Sequence, residues 1–195
     1  AQQLYMLPDR DVALNGALLA AQTEASRATI MLTARADGQI LTETTHDIRI
    51  LARNEWGGLA GLPDILAAFV LPNDPAVARV LRSASDILRE AGQSPSLEGY
   101  QGDKARVWAQ AQAIWCAVCG LNLTYVNPPA SFVESGQRIR LPAQIYDERL
   151  ATCLDTTVLF AACLEAAGLR PVIVLTQGHA FAGLWLAGQD AVTSV

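Results

Sequence analysis

The spacing of apolar and polar positions changes character along the chain, and each change marks a different kind of element. Residues 29–33 form a short β-prone run, and Asp37-Gly38 is a hairpin turn signal. Beyond it Ile40, Thr42, Thr44, His46, Ile48 and Ile50 alternate with Glu43, Thr45, Asp47 and Arg49. A period of two predicts a half-buried strand, with His46 on its less charged face in a structural role. Residues 1–52 therefore read as a β-rich segment, part of a sandwich whose other strands lie upstream or in residues 13–20. Residues 53–73 read as a connector, punctuated by Gly57-Gly58, Pro63 and Pro72-Asn73-Asp74-Pro75. Trp56 and Phe69 are expected to dock it onto a neighbour.

From residue 74 the period becomes helical. Asp74 can cap a helix and Pro75 can occupy its first turn. Val77, Val80, Leu81, Ala84, Ile87 and Leu88 fall on one face, and Gly92 ends the run. A second helix starts near Asp103; its apolar stripe is Val107, Trp108, Ala111, Ile114, Trp115 and Val118, and Gly120 closes it. Residues 121–126 read as a strand and 127–140 as a loop. After a short segment over 142–150, a mostly apolar helix is predicted from Cys153 to about residue 167, with Gly168 as its stop. Residues 171–176 read as a buried strand, Gln177-Gly178 as a turn, and 179–186 as a second strand pairing with the first.

Composition narrows the class. Of 195 residues 51% are hydrophobic, so a substantial core can form and bulk disorder is excluded. The apolar runs are far too short to span a bilayer, and no signal peptide opens the chain. Without an initiator Met or terminal signals, it reads as a segment excised from a larger protein. A net charge of −5 argues against a nucleic-acid surface. Four cysteines do not suggest a secreted disulfide framework, which points to a reducing, cytoplasmic setting. Cys116-x-x-Cys119 lies inside a helical pattern, with no obvious further pair of zinc ligands, so core packing is the expectation for it. Trp108, Trp115 and Trp185 are likewise expected in the core. Arg138 and Arg140 read equally as a solvated loop or as a site for an acidic substrate.

Cys153 stands apart because it falls at the first turn of a helix. Free backbone N–H groups and the positive end of the helix dipole converge there. Both favour a thiolate over a thiol, and the same N–H groups can donate to an oxyanion formed when sulfur attacks a carbonyl. His179 follows after one helix, one strand and one turn. A helix packed on a two-stranded hairpin can bring the start of the second strand beside the start of the helix. An imidazole there can pair with the thiolate and later act as general acid.

Taken together, Arg140-Leu-Pro-Ala-Gln-Ile, Ala-Thr-Cys153-Leu-Asp155, Leu-Glu-Ala-Ala-Gly168-Leu-Arg-Pro and Gly-His179-Ala-Phe resemble the core of the transglutaminase-like, papain-like superfamily over roughly residues 75–186. The resemblance implies an α+β fold over residues 74–195, helices packed on a small antiparallel sheet, preceded by the partial β-sandwich. It implies a Cys153–His179 pair acting on an amide or peptide carbonyl, as a cysteine protease, amidase or acyltransferase, with no cofactor and no metal. The wider string Ala-Phe-Val-Leu-Pro-Asn-Asp-Pro, with Asn-Pro-Pro-Ala-Ser-Phe, is similar to the N-terminal region of very large bacterial proteins that also carry a superfamily 1 helicase and a nuclease-like domain, some proposed to act in anti-phage defence. The implied partners are a protein or peptide substrate and the downstream helicase region, with neither nucleic acid nor membrane bound by this segment.

Two departures from the superfamily pattern bear on activity. Ala151-Thr152 stands where the family carries glycine. The third member, an acid that orients the imidazole, is expected on the next strand; Asp190 is the remaining carboxylate after His179, although Ala187-Gly188-Gln189-Asp190 also reads as a turn. The orienting group could instead lie past Val195, or be Asp155, which sits two residues beyond Cys153 and points away from it. An enzyme and a catalytically inactive protein-binding or sensing module are the two competing readings.

Overall fold

The computed structural model describes residues 13–61, 63–127 and 136–188. The chain divides into two compact units, Ala1–Arg53 and Asn54–Val195.

In the first unit, a short helix α1 (Gly16–Ala21) precedes two long strands, β1 (Ser26–Ala36) and β2 (Gln39–Ile50). The strand anticipated over residues 13–20 is thus a helix, started by Asn15, whose side chain accepts from the Leu18 N–H at 3.2 Å. β1 and β2 form an antiparallel hairpin in which Ile30 faces His46 and Thr33 faces Glu43. Asp37 and Gly38 both have positive φ, 49° and 79°, as a two-residue turn matched to strand twist requires. The alternation over residues 40–50 predicts a half-buried strand. Instead both faces of the hairpin are exposed along almost its whole length, His46 included. Threonines and β-branched residues support the extended backbone by themselves, so period two marks the strand without marking a covered face.

The second unit is mixed α+β with small sheets. Helix α2 (Pro75–Glu90) is capped by Asp74, whose carboxylate accepts from the Ala76 N–H at 2.8 Å, with Pro75 in the first turn. Helix α3 (Lys104–Cys119) is capped in the same way by Asp103. Val77, Val80, Ala84 and Leu88 of α2 meet Val107, Ala111, Ile114 and Val118 of α3 in one core, closed by the helix α5 (Cys153–Ala166). α5 is apolar nearly all round, as expected of a helix buried on most sides.

A second core cluster joins Trp56, Leu66 and Phe69 to Ile139, Leu154, Val158 and Ala180. Strand β3 (Glu55–Trp56) delivers Trp56, and a 3-10 helix over Pro63–Phe69 delivers the other two. Strands β4 (Thr124–Tyr125), β5 (Gln137–Arg138) and β6 (Leu150–Ala151), the last preceded by helix α4 (Pro142–Glu148), are each two residues long. β3 pairs antiparallel with β5, and Gly136 precedes that pair with φ +77°; a side chain there would collide with the Trp56 carbonyl. β4 pairs parallel with β6. Strands β7 (Pro171–Thr176) and β8 (His179–Leu184) form the expected antiparallel hairpin, packed on α5. The Tyr100 hydroxyl ties its open end, accepting from the Arg170 N–H at 3.0 Å and donating to the Trp185 carbonyl at 2.7 Å.

Among the described residues, no helix is long and apolar enough to cross a membrane. The tryptophans correct the sequence reading: Trp108, Trp115 and Trp185 are all exposed, and so are Cys116 and Cys119. α3 is apolar on more than one face, so periodicity overstates how much of it is covered. Val107, Ala111, Ile114 and Val118 of the stripe are buried, joined by the small residues Ala113 and Ala117.

Candidate active site

The turn that presents Cys153 is built by polar side chains. Thr152 is the N-cap of α5: its hydroxyl accepts from the Asp155 N–H at 3.1 Å, and Asp155 accepts from the Thr152 N–H at 2.9 Å, a reciprocal capping box. Gln137 of β5 donates to the same hydroxyl at 3.1 Å. Asp155 is fully buried and also accepts from the Arg140 N–H at 2.8 Å and its guanidinium at 3.2 Å. Arg140 thus pairs inward with Asp155, with Glu148 3.7 Å away, and is not a solvated loop residue. With its oxygens engaged by Thr152 and Arg140, Asp155 holds the turn. It does not serve as the orienting acid of His179. Thr152 supplies a cap where the superfamily pattern carries glycine, so the departure still yields an ordered helix start.

Parallel pairing of β4 with β6 brings a residue to the site that the sequence reading passed over. Tyr125 faces Ala151, and the Val126 N–H donates to the Ala151 carbonyl at 2.9 Å. Tyr125 therefore stands beside the residue pair that leads into Cys153. The negative charge of a Cys153 thiolate pushes the Tyr125 phenol above its ordinary value of 10.0; desolvation and a hydrogen bond with the Cys153 side chain act in the same sense. A hydrogen bond with the Cys153 backbone acts in the opposite sense. The strand over residues 121–126 is legible in sequence, but its partner lies 26 residues on, and nothing local announces a parallel bridge.

His179 opens β8, paired with Thr176 across the Gly178 turn. His179 and Phe181 lie on the exposed face of β8, while Ala180 turns into the core. Cys153 and His179 line one cavity of about 420 Å³, together with Tyr125 and the aromatic rings of Trp115, Phe160 and Phe181. The expected juxtaposition of helix start and second strand is therefore present. Among the described residues no hydrogen bond joins the Cys153 thiol to the imidazole, and none joins a carboxylate to the His179 ring; Tyr125 is the group whose ionisation Cys153 perturbs. Asp190 lies outside the described residues.

The other cysteines behave differently. Cys163 is buried in α5, and burial pushes its thiol from 9.0 up to about 12, which makes it an inert core residue. Cys116 and Cys119 lie away from the cavity. Among the described residues there is no grouping of three or more His, Cys, Asp or Glu side chains able to hold a metal ion. Compared with protein-family models, curated proteins and solved structures, the chain gives no match.

Proposed function

We propose that Cys153 and His179 carry thiol-dependent acyl chemistry of the transglutaminase-like, papain-like kind on an amide or peptide carbonyl. The observation that carries this reading is the shared cavity, into which a helix-start cysteine and a histidine from a separate strand both open. His179 takes the Cys153 thiol proton as the sulfur adds to the carbonyl carbon, and the carbonyl oxygen takes up the negative charge. The Cys153 N–H and the Tyr125 O–H, both beside the sulfur, donate to that oxyanion. His179 gives a proton to the departing amine, leaving a thioester. Water then completes hydrolysis, or a second amine completes transfer. His179 must swing toward the sulfur for this step, an adjustment commonly made only when substrate is bound.

The test is site-resolved acylation. With p-nitrophenyl acetate, release of one equivalent of nitrophenolate, with an acetyl group found on Cys153 by peptide mass analysis, is expected. Iodoacetamide at pH 6 is expected to label Cys153 well ahead of the exposed Cys116. No burst, together with Cys153 labelling no faster than Cys116, removes the enzymatic reading.

A second reading is a catalytically inactive module in which the same groove recognises a protein partner. It is favoured by the lack, among the described residues, of a hydrogen bond from the Cys153 thiol to His179 or from a carboxylate to the His179 ring. In either case we place the segment in a larger cytoplasmic bacterial protein with a superfamily 1 helicase, on the strength of the sequence resemblance alone. Full biological function of that parent protein with Cys153→Ala selects the second reading.

A further inference from the structure

Four aromatic rings from four separate elements surround Cys153: Trp115 from α3, Tyr125 from β4, Phe160 from α5 and Phe181 from β8. Such convergence is not a by-product of core packing alone, because only Phe160 packs on the core and the other three rings remain open. Trp115 is 46% exposed and Phe181 47%, each a large apolar surface left in water. Trp115 and Phe160 already meet edge to face, with centroids 5.3 Å apart and planes at 65°, an arrangement that a further ring can extend. The floor carries short side chains, Ala180 and Ala182, which leave the volume free. Among the described residues no Asp, Glu, Lys or Arg lines the cavity, so away from His179 no charged side chain there offsets the desolvation of a charged group. A cavity of about 420 Å³ is within the range that small organic groups fill, roughly 300–1,000 Å³.

We propose that this cavity is the specificity subsite of the Cys153 centre and takes an uncharged aromatic or branched aliphatic side chain next to the reacting carbonyl. The inference rests on the acyl-transfer reading for its link to chemistry, since the subsite is continuous with the sulfur. The acyl donor is then a peptide or amide with Phe-like or Leu-like character at that position. A charged residue there is rejected because its solvation is lost without a partner.

The experiment compares N-acetyl-phenylalanyl, -leucyl, -glycyl, -aspartyl and -lysyl chloromethyl ketones on the 195-residue chain. In each case the Cys153 sulfur displaces chloride to form a thioether, so no turnover is needed. Rates at Cys153 are read by mass analysis and divided by the iodoacetamide rate at the same pH. The phenylalanyl and leucyl reagents are expected to exceed the glycyl reagent by at least about 10- to 200-fold, the range for a single methylene in an apolar pocket, with aspartyl and lysyl at or below glycyl. Trp115→Ala, and independently Phe181→Ser, are expected to lower the preference at least about tenfold while sparing the glycyl rate. Phe181 is half exposed, so its variant keeps the test interpretable should Trp115→Ala fail to fold. A flat series, a preference for lysyl or aspartyl, or an unchanged preference in both folded variants overturns the proposal. Aromatic preference with ordinary iodoacetamide reactivity keeps the subsite and removes the acyl-transfer chemistry. A flat series with fast iodoacetamide labelling does the reverse.

Discussion

Replacing Asp155 by alanine tests whether the turn that presents the nucleophile is held by the buried carboxylate. Three donors lose their acceptor at once: the Thr152 N–H at 2.9 Å, the Arg140 N–H at 2.8 Å and the Arg140 guanidinium at 3.2 Å. Each buried donor left unsatisfied costs about 1–3 kcal/mol. The Arg140 side chain is 29% exposed and has Glu148 at 3.7 Å, so its guanidinium recovers part of its solvation and contributes at the low end. The backbone donors cannot turn away, because Thr152 is held between β6 and α5 and Arg140 between β5 and α4. A total of about 3–5 kcal/mol follows, the range for breaking a buried ion pair by removing one partner. For a domain of this size that lowers Tm by roughly 6–20 °C. Urea unfolding followed by tryptophan fluorescence measures it, with m expected unchanged. Asp155→Asn keeps the shape and one acceptor but sets its amide N–H₂ against a donor, so it should lose about half as much. Cys153 labelling by iodoacetamide should change in both variants while Cys116 labelling does not. If both variants lie within about 1 kcal/mol of the parent, the network does not hold the turn, and the account of how Cys153 is presented is wrong.

Three further outcomes are expected. Tyr125→Phe should slow the nitrophenyl acetate burst about 10²- to 10³-fold, as for loss of one oxyanion donor. It should not slow iodoacetamide labelling, which forms no oxyanion, and should leave the urea midpoint nearly unchanged, since Tyr125 is 62% exposed. Gln110→Leu keeps a similar volume but strands the Glu98 and Gly99 N–H groups, which Gln110 accepts at 2.8 and 3.1 Å; a loss of about 2–4 kcal/mol in urea unfolding is expected. Cys163 holds its proton to about pH 12 in the folded chain, whereas the unfolded thiol releases it near 9.0. Its contribution to stability is therefore complete below pH 9 and falls by about 1.4 kcal/mol per unit as pH rises toward 12. Comparing the alkaline unfolding slope with that of Cys163→Ala isolates this contribution; equal slopes would show that Cys163 does not titrate with unfolding.

Local signals in the sequence carried the helices and the hairpins. Asp74-Pro75, Asp103 and Gly92 act within a few residues of themselves, so caps and stops at these positions are legible without a fold. The same holds for Asp37-Gly38 and for the order helix, strand, turn, strand from Cys153 to Leu184, because each depends on backbone preferences over one or two turns. Coverage was another matter. Alternation over residues 40–50 and the tryptophan stripe of α3 describe which side chains share a face, and only packing decides whether anything lies against that face. Tertiary structure also made the site's polar frame. Tyr125 reaches Cys153 through a two-residue parallel bridge, and Asp155 turns out to serve Arg140 and Thr152, both through contacts between elements distant in sequence or across a buried turn. Residue types and their order thus named Cys153 and His179. Which groups stand within reach of the sulfur followed from long-range packing, because hydrogen bonding and burial are properties of the assembled chain.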